Sequence, residues 1–322
     1  MNTTLKRLTA AAIATLAVAT SITACAHDSS SNADELTVGF VVDPSWAQIP
    51  VAADGGMFSK HHVNVKVVNF QSGVEALQAV SAGQVDITTA ADVPTAAVLT
   101  RSPGLRIVAD GSRWEGSRIV ARRSAGITNL ADLAGKSIGT PLGTSAAYYV
   151  SNALAQNNIK ADLVQVSPSA MVTAATQHNV DAVSIFQPYQ AQTIAALGDD
   201  AVPLNGGTYI QHSLFIASPS AISSKGAEIT SFFAALGDAS AALSAHDAAA
   251  TAAVAKATQL DTQLLNTVLS EFDFTIQLKP DLAADLSALA EWGKTQKSID
   301  AATTLPDYNQ FLDGQFLTKP AS

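Results

Sequence analysis

The sequence predicts an α/β protein built as two similar lobes followed by a helical C-terminal region. Three observations carry this. From residue 36, short β-rich runs alternate with helix-forming stretches at the spacing of a largely parallel sheet. The same alternation restarts beyond residue 120. The two halves also share landmarks at a constant offset of 95 residues. Ser72 stands 14 residues before Asp86, and Ser167 stands 14 before Asp181. Six residues after those aspartates come Asp92 and Gln187, each opening a helix. Residues 226–300 then read as helices only, many of them alanine-rich.

In the first half, Leu36 to Val42 reads as a strand, closed by the turn signal Asp43-Pro44-Ser45. Residues 46–58 are helix-compatible apart from Pro50 and Gly55-Gly56. A strand over Val63 to Val68 follows, then a helix opened by Ser72-Gly73 and a strand over Val85 to Thr89. Asp92 is placed as the cap of the next helix, with Pro94 in its first turn, and Leu105 to Ala109 as the strand after it. The second half gives strands near 137–140, 163–166 and 181–185, with helices near 145–157, 168–178 and 187–197. The chain is expected to cross between lobes near Ile119–Arg122 and Phe215–Ser218, so lobe 1 comprises 36–121 and 217–322, and lobe 2 comprises 122–216. Ligands of open α/β sheets lie beyond the carboxyl ends of the strands, against helix N-termini. Two such lobes would hold a ligand between them and close by hinge bending.

The N-terminus sets the compartment. Lys6 and Arg7 precede an uncharged, alanine-dominated run from Leu8 to Thr20, too short for a permanent bilayer span. It ends in Ile22-Thr23-Ala24-Cys25, and Cys25 is the only cysteine. This resembles a bacterial lipoprotein signal, in which a branched apolar residue and two small ones precede the cysteine to be lipidated. The resemblance implies a signal peptide over 1–24, an acylated Cys25 as the membrane anchor and a polar tether over 25–35. Nothing after it approaches eighteen apolar residues in a row, so the mature chain is expected to be soluble but lipid-anchored, outside the cytoplasm. One cysteine allows neither an intramolecular disulfide nor a thiolate metal site. Without Lys6 and Arg7, 16 basic residues face 27 acids, a net of −11, which argues against a nucleic-acid partner.

The stretch from Gly139 to Tyr149 carries the strongest local signal: strand, glycine-bearing turn, helix N-terminus. First-turn N–H groups lack intrahelical partners and carry the positive end of the helix dipole. Thr144 and Ser145 either cap this helix or complete a cradle for an anion. The mature chain also gathers its six arginines, 101, 106, 113, 118, 122 and 123, into 23 residues. Arg113 or Arg118, flanking Trp114-Glu115-Gly116, could bring a guanidinium fork to an oxyanion. The alternative is a solvated charged face, or pairing of Arg113 with Glu115 or Asp110.

Several stretches together resemble the bacterial ABC-transporter solute-binding proteins for sulfonates, taurine and nitrate. Gly39-Phe40, Gly55 to Phe58 and Val65 to Leu77 follow that family's first-lobe pattern, and Ala82 to Ile87 its segment before the second cleft helix. Ile127 to Ile138 is similar to its second-lobe entry, and Gly143 to Ala146 to its sulfonate cradle. Phe186-Gln187-Pro188-Tyr189 matches its aromatic–X–Pro element, and Leu305-Pro306-Asp307-Tyr308 its end. The resemblance implies a type II periplasmic-binding-protein fold, two α/β lobes joined by a two-strand hinge. It further implies a monomer without cofactor or chemistry of its own, delivering a small organic anion to a membrane permease. The cleft residues it implies are Trp46, Gln48, Ser72, Gly73 and Asp92 from the first lobe, Thr144 and Ser145 from the other, and Gln187 opposite; Trp114 and Tyr209 are nominated beside them. Gln187 is neutral where relatives often carry an acid, and residues 208–212 contain no carboxylate for a ligand ammonium, whereas Asp92 could hold one. An alkanesulfonate or taurine is thus expected, with nitrate, an aromatic carboxylate or a thiamine-type pyrimidine as alternatives.

Other chemistry fits poorly. Gly139 to Ser145 is one residue short of a P-loop and has Thr144 in place of its lysine. No Gly-x-Ser-x-Gly elbow occurs. His61 and His62 are adjacent rather than four apart, and read as a surface loop. The related pyrimidine synthases need, by the same resemblance, a cysteine-rich iron site, and here the sole cysteine lies in the lipoprotein signal. A lipoprotein that presents ligand to a sensor remains compatible with the sequence.

Overall fold

The computed structural model describes residues 35–317. The expected signal peptide, Cys25 and all but the last residue of the tether lie outside them. In chain order the first part contains β1 (Glu35–Val41), α1 (Gln48–Asp54), α2 (Met57–Lys60), β2 (Asn64–Phe70), α3 (Gly73–Ser81), β3 (Ile87–Ala91), α4 (Asp92–Leu99) and β4 (Arg106–Trp114). Then come β5 (Ile119–Arg122), β6 (Ser137–Thr140), α5 (Ser145–Gln156), β7 (Asp162–Gln165), α6 (Met171–Thr176), β8 (Ala182–Ser184), α7 (Tyr189–Leu197) and β9 (Ala201–Leu204). The chain ends with β10 (Gln211–Ala217), α8 (Pro219–Ser224), α9 (Gly226–Ser244), α10 (Ala248–Thr258), α11 (Thr262–Leu269), β11 (Phe272–Asp273) and α12 (Leu282–Thr295).

These strands form two sheets, ordered β11-β4-β10-β3-β1-β2 and β7-β6-β8-β5-β9. The expectation of largely parallel sheets is corrected, since both are mixed. β1 pairs in parallel with β2 and β3, and β6 with β7 and β8. β10 runs antiparallel to both neighbours in the first sheet, and β5 to both in the second. Each is the strand that its sheet receives from the other. A strand that begins at the junction must run away from it, against strands whose carboxyl ends point toward it. The connections themselves are residues 115–118 and 205–210, earlier than the expected 119–122 and 215–218. Turn formers are already there, in Gly116 and in Asn205-Gly206-Gly207, whereas 119–122 and 211–217 are ladder-paired strands. Residues 211–216, read as part of lobe 2, therefore belong to the first sheet.

Each sheet is covered on both faces. Along β10, Phe215 enters the core shared with α9, while Leu214 and Ile216 enter the opposite one, with α3, α4 and α12. Along β5, Ile119 and Ala121 face one core and Val120 the other. This is the period-2 alternation of a strand buried on both sides. Phe232 and Phe233 of α9 pack edge-on against Phe215, at 6.0 and 5.4 Å between ring centroids. The C-terminal region is helical except for β11, which pairs with the end of β4.

The 95-residue repeat has a structural counterpart. Asp86 accepts from Thr37 N at 2.8 Å, at the start of β1, and pairs with Lys225 at 2.8 Å. Asp181 accepts from Ser137 N at 3.0 Å, at the start of β6, with the Arg122 guanidinium 3.6 Å away. In each sheet the aspartate before one parallel strand anchors the first amides of its neighbour.

Candidate functional site

A narrow cavity opens where the carboxyl ends of the two sheets' strands face each other. Asp43, Trp46, Gly73 and Gln211 line it from the elements of the first sheet, and Thr144, Ser145 and Phe186 from those of the second. Each side reaches it through a strand end followed by a turn or helix start. Asp43 follows β1 and caps the 3₁₀ turn Pro44–Trp46, accepting from Ser45 N at 2.7 Å. Gly73 begins α3 hard against β3, where a Cβ would stand 3.0 Å from that of Ala90. Gln211 begins β10.

On the opposite side, Gly143 at φ +77° turns the chain into α5. Thr144 is the residue before that helix, but its hydroxyl donates to Pro141 O at 2.6 Å instead of accepting from the first turn. Among the described residues no side chain accepts from the first-turn N–H groups of α5. Both Thr144 and Ser145 are buried. The simple cap reading therefore fails, and the positive end of a three-turn helix faces the cavity.

Asp43 is 2 % exposed, and burial pushes its carboxyl up to about 7, with the Ser45 N–H pulling it back. Two of the lining residues carry a buried polar atom without a hydrogen-bond partner among the described residues: Trp46 Nε1, a donor, and Gln211 Oε1, an acceptor. No lysine or arginine is among the lining residues. An acid group bound here would be met by backbone N–H groups and a helix dipole rather than by a guanidinium.

Of the ten residues nominated from the sequence, the structure brings Trp46, Gly73, Thr144 and Ser145 to this cavity. The other six make protein contacts outside its lining. Gln48 donates to Gly111 O at 2.7 Å, Ser72 caps α3 by accepting from Glu75 N, and Gln187 Oε1 accepts from Ala191 N at 3.1 Å. Trp114 stacks on Phe272 at 5.7 Å and donates to Glu271 at 3.0 Å. Asp92 is the first residue of α4 rather than its cap, and accepts from Val93 N, His212 N and the Tyr209 hydroxyl. Burial lifts it to about 6, with His212 opposing. His212 in turn bonds Asp110 at 2.8 Å, so Asp92 and Tyr209 tie the 205–210 connection to α4.

The arginines do not reach the cavity. Arg113 is held between Asp110 and Asp273, each at 2.9 Å, and Arg118 donates to the Glu115 and Ser117 carbonyls. Asp43, Gln211 and Phe186 are the residues that sequence reasoning passed over. Asp43 stands immediately beyond a parallel strand's carboxyl end, which is the signal that would have found it.

Known proteins share this fold. A candidate binding protein of Brucella abortus (strain 2308) is 34% identical over 155 residues, so the match spans 47% of this chain and 47% of that relative. The periplasmic aliphatic sulphonate binding protein of Escherichia coli superposes with a TM-score of 0.73 at 21% identity, over 86% of this chain and 97% of that one. The desulfurization enzyme DSZB shares the fold at a TM-score of 0.65 and 16% identity, over 88% and 97% of the two chains. The likeness to the E. coli structure establishes the periplasmic-binding-protein fold. Residues 43–250, well over half of the 322, match the NMT1/THI5-like family model, and the chain belongs to that family.

Proposed function

We propose that this protein is the extracytoplasmic solute-binding component of an ABC importer. It captures a small organic anion, an alkanesulfonate or taurine, between two lobes and delivers it to a membrane permease. In this reading lobe 1 gathers around the first sheet and lobe 2 around the second, so the expected boundaries at 121/122 and 216/217 move to the 115–118 and 205–210 connections. The protein works as a monomer, and Cys25 carries the lipid that holds it at the outer face of the cell membrane. The observation that carries the reading is the α5 N-terminus, with Thr144 and Ser145, at a cavity whose other wall is Trp46, Gly73 and Gln211. Uncapped first-turn N–H groups bind acid oxygens without a cationic side chain.

DSZB shows that this fold can also host an enzyme. Binding without chemistry is the reading proposed here: the lining residues include no histidine, lysine or cysteine, and Asp43 is the one lining side chain placed to exchange a proton. Nitrate, an aromatic carboxylate or an aminopyrimidine are the competing ligands. A thermal-shift panel separates them, since a ligand at about 100 times its Kd adds about 2.7 kcal/mol to stability. An alkanesulfonate or taurine is expected to raise the melting temperature by several degrees. A shift with nitrate, a carboxylate or a pyrimidine alone would overturn the sulfonate assignment.

A further inference from the structure

The cavity contains more acceptors than an anion can use. Asp43 is a lining residue, and its buried carboxyl is met within the described residues by Ser45 alone. Gln211 Oε1 lines the same cavity, buried and unpartnered. No lysine or arginine of the lining pairs with Asp43 there. A ligand that is only an anion would set its charge against that carboxylate in the same cavity. It would also leave Gln211 Oε1 without a donor. Both acceptors are satisfied by an N–H-rich, positively charged group, and the rings of Trp46 and Phe186 give such a group an aromatic wall. Trp46 Nε1, the buried donor without a partner, is left for an acid oxygen.

We infer that the cleft takes a short zwitterion, its acid group set on the first turn of α5 and its protonated nitrogen held by Asp43 and Gln211 Oε1 beside Trp46 and Phe186. This rests on the cleft being the ligand site, as proposed above, and assigns the ammonium to Asp43 instead of Asp92, whose two oxygens are already occupied by Tyr209, Val93 and His212.

The test uses matched pairs that differ only in the amine: taurine against ethanesulfonate, and β-alanine against propionate. Titration calorimetry is run on the mature chain at a pH above the value of about 7 at which Asp43 titrates. The aminated member should bind about 10- to 100-fold more tightly, the fold-change of a charge-assisted hydrogen bond. Asp43→Asn should remove that preference while ethanesulfonate binding holds or tightens. Equal affinities within a pair, an equal fall of both members in Asp43→Asn, or no binding by any of the four would overturn the inference. Tight binding of β-alanine alone, with loss in Asp43→Asn, would sink the sulfonate assignment and leave the zwitterion in place. The wild-type pairs decide the matter even if the variant does not fold.

Discussion

Ser145 occupies the first position of α5, where side-chain choice separates helix stability from ligand binding. An acidic residue at that position interacts favourably with the helix dipole, by about 0.3–1 kcal/mol. The same carboxylate would sit on the N–H groups that the ligand's acid group needs, and repel it. Ser145 is buried, so the cost of burying a carboxylate offsets that gain, and Ser145→Asp is expected to stay folded while abolishing binding of sulfonates in calorimetry. A Ser145→Asp protein that still binds would mean that the α5 turn is not the anion site. Asp43 teaches the complementary point. The Asp43-Pro44-Ser45 sequence reads as a turn, and it is one, with Asp43 accepting from Ser45 N. Its second role, facing the cavity, is invisible locally because that wall is completed by Gln211, far along the chain.

At the scale of elements, the paired aspartates explain why so much of the order was legible. Asp86 and Asp181 recur at one offset because each anchors the edge of a parallel ladder at its first amide. Removing the Asp86 carboxylate strips the acceptor from Thr37 N and leaves Lys225 with only the Glu35 carbonyl, so Asp86→Ala is expected to cost about 1–3 kcal/mol in denaturant unfolding. Asp181→Ala should cost less, because the Asp181 side chain is 32% exposed against 18% for Asp86 and its guanidinium stands farther off. An equal or reversed ranking would show that the two anchors are not ordered by burial. Strand and helix existence followed from periodicity and turn chemistry, both local. Where the chain changes sheets did not, because 119–122 and 211–217 have the composition of strands in either sheet. Nor could spacing reveal that Trp114 faces Phe272 or that Asp92 faces Tyr209, since each partner is more than a hundred residues away.

For the whole molecule, the two sheets bury carboxylates close to their junction, and this sets how stability responds to pH. Asp43 titrates near 7 and Asp92 near 6 in the folded protein, against 3.8 for an ordinary aspartate. Below 3.8 both are protonated folded or unfolded, and above about 7 both are ionised in either state. Between those limits only the folded chain holds the protons, so stability falls as pH rises through the window. Each such group contributes a slope of about 1.4 kcal/mol per pH unit while it alone is protonated. His212 acts in the same direction, because its bond to Asp110 and the carboxylates around it outweigh burial and raise its pKa. Surface aspartates held below the usual range, such as Asp132 and Asp200, act oppositely, but only where the medium approaches their own low pKa values. The unliganded protein should thus need more urea to unfold at about pH 5 than at about pH 8, and Asp43→Asn should flatten that difference. A midpoint that rises with pH over this range, or an Asp43→Asn slope equal to that of the wild type, would show that Asp43 is not the uncompensated charge at the lobe junction. The same uncompensated carboxylate is what a ligand ammonium would neutralise, so a bound zwitterion should reduce the pH dependence in step with its affinity.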